Sequence, residues 1–185
     1  MLKKSMSKSE IETELKSKGD FVQIDYLAKY VSEKPAFDMK KFAYQKLAEI
    51  YERRYMFGEA AKNYGFISDL ALTFTEKIKF NLKQVELYVK AGMFERADEC
   101  MQTTLSNANA SQKAEVMFAI KEFYKKQALV YEKEKRRAHA AKVYEKLASM
   151  NLSETEKEEV RNKLLHLYEE LGKIKEYMML KGKID

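Results

Sequence analysis

A short phrase of residues recurs along this chain and limits the folds that it can adopt. In its clearest copy, Tyr88 is followed by Gly92 four residues later, by Phe94 six later and by Ala97 nine later. Parts of the phrase follow five anchor residues, which are Leu15, Tyr51, Tyr88, Tyr131 and Tyr168. The spacings between anchors are 36, 37, 43 and 37 residues, and periods of this length are typical of arrays of helical pairs.

Each position of the phrase has a physical role in a pair of helices. The anchor ends an apolar stripe on the first helix, and the glycine suits a left-handed residue that closes that helix. The aromatic residue begins the second helix, and the alanine is small because the two helices cross closely there. One pair cannot bury its apolar face alone, so we expect neighbouring pairs to stack.

Composition supports an all-α fold with a single domain over residues 1–185. The chain has one Pro and 6 Gly, whereas β-rich chains need many turns. We predict a loop at 106–111 from its small polar residues, and a capping box in which Ser153 pairs with Glu156. The predicted helices are 9–18, 20–32, 38–54, 57–70, 75–91, 93–105, 112–131, 135–150, 153–171 and 173–180.

The phrase resembles the consensus of the tetratricopeptide (TPR) family over nearly the whole chain. The residues that fit one repeat of it are Leu47, Ala48, Tyr51, Phe57, Ala60 and Tyr64. The chain departs from the family where an early aromatic residue survives only as Tyr124 and the repeat-ending proline only as Pro35. The resemblance implies a right-handed α–α superhelix (solenoid) of about five helical hairpins. It also implies a concave groove, lined by the first helix of each pair, that binds a partner.

A lysine stands five residues before four of the anchors, and we call these residues the lysine row: Lys46, Lys83, Lys126 and Lys163. Equivalent positions line up in a stacked array, so the row would attract an acidic protein or peptide partner. By the resemblance, this position faces the groove. Lysine is also the commonest residue here, so the row is equally compatible with a solvated face. The asparagines of the family's two-carboxylate clamp are missing, and we do not predict that clamp.

A basic region at 121–146 gives an alternative function, binding to nucleic acid. It holds nine basic and four acidic residues, and a basic face is the electrostatic footprint of a nucleic-acid-binding protein. A solvated turn explains the same charges. The candidate residues of this alternative patch are Lys125, Lys133, Lys135, Arg136 and Arg137.

Residues that could support catalysis are sparse. His139 and His166 have no carboxylate or cysteine at the spacing of metal ligands, and Cys100 fits a buried structural thiol. No glycine-rich phosphate loop or nucleophile elbow is present. We therefore predict no enzyme activity, no metal and no cofactor.

The two ends of the chain carry the remaining predictions. The segment at 173–180 is apolar on more than one side, which fits either a cap or a surface for self-association. Mean hydropathy is −0.57, and no apolar run approaches the length of a membrane span. The basic start lacks the apolar stretch of a secretory signal, so we expect a cytoplasmic protein. Together these features predict a protein-interaction scaffold or adaptor.

Overall fold

The computed structural model describes residues 2–182, which form ten helices and no β-strand, and so confirms the all-α prediction. The helices are α1 (Lys8–Lys16), α2 (Asp20–Ser32), α3 (Phe37–Arg53), α4 (Phe57–Asp69), α5 (Phe74–Lys90), α6 (Phe94–Asn107), α7 (Ala110–Lys133), α8 (Arg137–Ala148), α9 (Glu154–Glu170) and α10 (Ile174–Lys181). Over the described residues, no helix combines the length and the apolar character that a membrane span requires.

The chain separates into two compact units, one up to Val116 and one from Met117 onward. In the first unit, each helix from α2 to α6 packs against its neighbour in the chain. In the second unit, α9 packs against both α8 and α10. The boundary falls inside α7, a helix of 24 residues, and not at a linker. The single domain over 1–185 stays a prediction.

The first helix of four pairs ends in the same way. The fourth residue after each anchor has a positive φ, and these residues are Tyr55 (59°), Gly92 (70°), Lys135 (56°) and Gly172 (65°). The next N–H donates to the anchor carbonyl in every case, as from Met56 to Tyr51 at 2.9 Å. This is the Schellman motif, and it confirms the predicted left-handed residue at four positions. At the first anchor the prediction is wrong, because Gly19 has φ −68° and caps the start of α2.

Small and aromatic positions of the phrase lie in the interior. The alanine nine residues after an anchor is 0% exposed at Ala60, 1% at Ala97 and 0% at Ala140, as close helix crossing requires. In the first unit, Ile11 and Leu15 of α1 belong to one apolar cluster with Ile50 of α3. The core therefore joins helices within each pair and between successive pairs.

The loop predicted at 106–111 is wrong, because α6 continues to Asn107 and α7 begins at Ala110. The side chains of Ser106 and Asn107 both donate to the carbonyl of Thr103, at 2.8 and 2.7 Å. Polar residues that the pattern places in a loop are thus satisfied within the last helical turn. Asn109 then accepts from the N–H of Gln112 at 2.9 Å at the start of α7.

The capping box at the start of α9 is confirmed. The Ser153 hydroxyl accepts from the N–H of Glu156, and the Glu156 carboxylate accepts from the N–H of Ser153. At the opposite end of the second unit, Ile174, Met178 and Met179 of α10 are 75%, 61% and 61% exposed. Self-association through this helix stays a prediction.

Candidate functional site

A groove runs between α1 and α3 in the first unit and encloses a cavity of about 370 Å³. Its apolar floor contains Leu15 and Ile50, which are 5% and 3% exposed. The polar lining residues come from three helices and are Ser9, Glu12, Thr13, Lys16, Gln23, Lys46, Glu49 and Arg53. The groove therefore combines an apolar floor with side chains of both charges.

Lys46 of the lysine row lies at the centre of the groove's charges. Its Nζ is 2.7 Å from the Glu12 carboxylate of α1 and 3.5 Å from that of Glu49. The hydrogen bond to Glu12 and the nearby Glu49 raise the pKa of Lys46 above its ordinary value. Arg53 pairs with Asp20 in the same way, and its guanidinium lowers the pKa of that carboxyl. Two cations of the lining are thus already paired with acids.

Two other members of the lysine row also lie in ion pairs between helices. Lys83 of α5 is 3.0 Å from Glu52 and 3.2 Å from Glu86. Burial alone would lower the pKa of Lys83, but the two carboxylates outweigh it and raise that pKa. Lys163 of α9 is 3.0 Å from Glu132 of α7. The positive charge of these lysines is therefore largely neutralised where they stand.

Lys126 differs from the rest of the row. It is exposed on α7, and no ionic partner for it occurs among the residues that the structure describes. The glutamate that pairs with Lys83 directly follows the anchor Tyr51, and the equivalent position after Tyr88 is Val89. The chain thus lacks a glutamate at the place where a partner for Lys126 would stand.

The ion pairs show that the two units repeat one arrangement. The residues 80 positions after Glu52 and Lys83 are Glu132 and Lys163, and both pairs join their helices at 3.0 Å. The Tyr64 hydroxyl bonds to Glu52, and 80 residues later the Tyr144 hydroxyl donates to Glu132 at 3.2 Å. Burial, together with the neighbouring glutamate, raises the pKa of both tyrosines.

A second pair of contacts repeats with the same offset. Lys41 of α3 pairs with Glu76 of α5, and Lys121 of α7 pairs with Glu156 of α9. When residues 37–94 are aligned with 117–174 without gaps, 18 of the 58 positions are identical. The spacing of single pairs hides this longer period, although the anchors Tyr51 and Tyr131 are themselves 80 residues apart.

The basic region at 121–146 is also largely paired with acids. Lys125 lies 2.9 Å from Glu156, and Arg137 lies 2.8 Å from Glu170. The Ser153 N–H, followed by Lys125 and Lys121, lowers the pKa of Glu156 to about 2. Arg136 lies 3.2 Å from Glu134 and stacks over the ring of Tyr131. Of the alternative patch, Lys133 and Lys135 are the exposed members for which the described residues provide no ionic partner.

The residues considered for catalysis are far from any shared cluster. The His139 ring packs 5.3 Å from that of Tyr131, and His166 Nε2 lies 3.8 Å from Glu170. Cys100 is half-buried on α6, and burial raises the pKa of its thiol to about 11. Within residues 2–182, no group of three or more His, Cys, Asp and Glu side chains could hold a metal ion.

Comparisons with protein-family models, with curated proteins and with solved structures found no match for this chain.

Proposed function

We propose that this chain is a protein-binding module that holds a segment of a partner protein in the groove between α1 and α3. We further propose that its helical pairs form a right-handed TPR-like solenoid of about five hairpins. The observation that carries the binding proposal is the lining of the groove, where an apolar floor lies between exposed charged and hydroxyl side chains. Such a mixture favours a peptide, because apolar contacts provide affinity and the polar rim fixes register.

The charges of the groove refine the expected ligand. Lys46 and Arg53 are paired with acids, while Lys16 is exposed and Glu12 and Glu49 lie beside it in the lining. A segment with only acidic residues would have to compete with Glu12 for Lys46. A segment that carries both charges around one or two aliphatic side chains matches this lining better.

Site-specific photo-crosslinking tests the proposal. A photoreactive phenylalanine analogue replaces Thr13, an exposed residue of the groove, and a matched protein carries it at Lys142, an exposed residue of α8. Both are irradiated in a lysate of the source cell. We expect a discrete protein adduct at position 13, absent at position 142 and reduced when Lys46→Glu is added.

Two results would contradict the proposal. Equal adducts at both positions would mean that capture is non-specific, and no adduct at position 13 would mean that the groove is not a binding site. The nucleic-acid alternative has less support, because Lys125, Arg136 and Arg137 are paired with carboxylates. Recovery of RNA in place of protein would favour that alternative.

A further inference from the structure

One face of α7 in the second unit is exposed and both apolar and basic. Phe118, Leu129 and Val130 are 64%, 48% and 43% exposed. Lys126 and Lys133 are exposed on the same side of the helix, because residues three, four and seven apart share a helical face. Neither lysine has an ionic partner among the described residues. We call these five residues the α7 face.

The equivalent face in the first unit is covered. The residues 80 positions earlier lie on α3, where Lys46 corresponds to Lys126, Ile50 to Val130 and Arg53 to Lys133. The first helical pair lies over them. Glu12 of α1 pairs with Lys46, and Asp20 of α2 pairs with Arg53.

The apolar part of the α3 face is also covered by the first helical pair. Ile50 is 3% exposed in a cluster with Ile11 and Leu15 of α1. By contrast, Val130 at the equivalent position is 43% exposed. The same helix surface is therefore completed by an acidic, amphipathic helical segment in one unit and left open in the other.

We propose that the α7 face binds an amphipathic helix of a partner protein that carries two acidic side chains about two turns apart. Lys126 and Lys133 are seven residues apart, which corresponds to a rise of about 10 Å along α7. Two carboxylates with that separation reach both lysines. An aliphatic side chain between them covers Leu129 and Val130, as Leu15 does for Ile50 in the first unit. The face shares no residue with the groove between α1 and α3, so either surface can fail without the other.

The test uses a peptide with this chemistry and the full chain. The probe is a fluorescein-labelled peptide of residues 7–33 of this sequence, which contains Glu12, Leu15 and Asp20 in the required order. Fluorescence anisotropy measures its binding to wild type, to Lys126→Glu/Lys133→Glu and to the control Lys142→Glu. We expect saturable binding to wild type, a loss of about 100-fold in the double variant and no change in the control.

A charge exchange separates the α7 face from other contacts. A peptide with Glu12→Lys and Asp20→Lys should bind the double variant at least tenfold more tightly than it binds wild type. Circular dichroism checks that the variants fold, and folding is expected because neither lysine contributes an ion pair. The proposal is overturned if the double variant binds the original peptide as wild type does, or if wild type shows no saturation up to about 1 mM. It is also overturned if wild type alone self-associates in sedimentation through Lys126 and Lys133, because a second copy would then be the occupant.

Discussion

The carboxylate of Glu52 lies 3.0 Å from Nζ of Lys83 and joins α3 to α5. Because the Tyr64 hydroxyl bonds to the same carboxylate, three helices meet at one glutamate. Glu132, Lys163 and Tyr144 repeat this arrangement 80 residues later. The arrangement therefore identifies the two hairpins and following helix that the units share.

The first prediction concerns the energy of this arrangement. Glu52→Ala leaves both Lys83 and Tyr64 without their acceptor in a half-buried setting, so it should lower the free energy of unfolding by about 1–3 kcal/mol. In a double-mutant cycle, Glu52→Ala with Lys83→Ala should give a coupling energy of about 0.5–1 kcal/mol. Urea denaturation measures both quantities. Strictly additive effects would mean that the pair contributes nothing to stability.

The second prediction separates the members of the lysine row. Lys163→Ala removes an ion pair whose lysine is 40% exposed, so solvent screening limits the loss of stability to about 0.5 kcal/mol. Lys126→Ala removes no ion pair and should change stability by less than that. Thermal denaturation of the two variants provides the measurement. An equal loss in both would show that Lys126 has a stabilising contact of its own.

The third prediction is a dependence of stability on pH through Glu156. Its pKa is lowered from 4.5 to about 2 in the folded chain, so the folded state favours the ionised carboxylate. This contribution is fully present above about pH 4.5 and is lost as the pH falls through the folded pKa near 2. Glu156→Gln should therefore be less stable than wild type at pH 7.

Chemical denaturation at pH 7, 5, 3 and 2 follows the difference between Glu156→Gln and wild type. We expect the two proteins to converge at the acid end of this series. Glu158→Gln, on the exposed side of the same helix, is the control and should show no such convergence. A difference that stays constant down to pH 2 would contradict the lowered pKa.

The fourth prediction concerns the left-handed residues that end the first helices. Lys135 has φ 56°, where a residue with a Cβ is strained and glycine is not. Lys135→Gly should therefore raise the free energy of unfolding by about 0.5–1 kcal/mol. The opposite change at the equivalent position, Gly172→Ala, should lower it by about 1 kcal/mol. Urea denaturation would reveal an error if both substitutions shifted stability in the same direction.

The fifth prediction is a slow reaction of Cys100. Burial raises the pKa of its thiol from 9.0 to about 11, which lowers the thiolate fraction at pH 8 by about 100-fold. Because the thiolate is the reactive form, alkylation by iodoacetamide should be slower in the folded chain by a similar factor. Mass spectrometry of native and urea-unfolded protein gives the two rates. Equal rates would show that the thiol is freely accessible.

The sequence by itself determined the helices and where they end. The anchor, the residue four positions later and the alanine nine later act through local geometry, so the phrase predicted the left-handed residues at Gly92 and Gly172. The same local reasoning failed at 106–111, where Ser106 and Asn107 bond back to the Thr103 carbonyl. Polar side chains have two ways to satisfy their hydrogen bonds there, and composition does not choose between them.

Only the tertiary structure decided which charges are neutralised and which are free. The lysine row looks uniform in the sequence, yet Lys46 and Lys83 are paired with acids from a preceding helix and Lys126 is not. These partners lie about 30 residues away, so no local pattern announces them. An ion pair depends on which side chains two packed helices bring within a few ångströms of each other, and that distance is set by the packing of the fold.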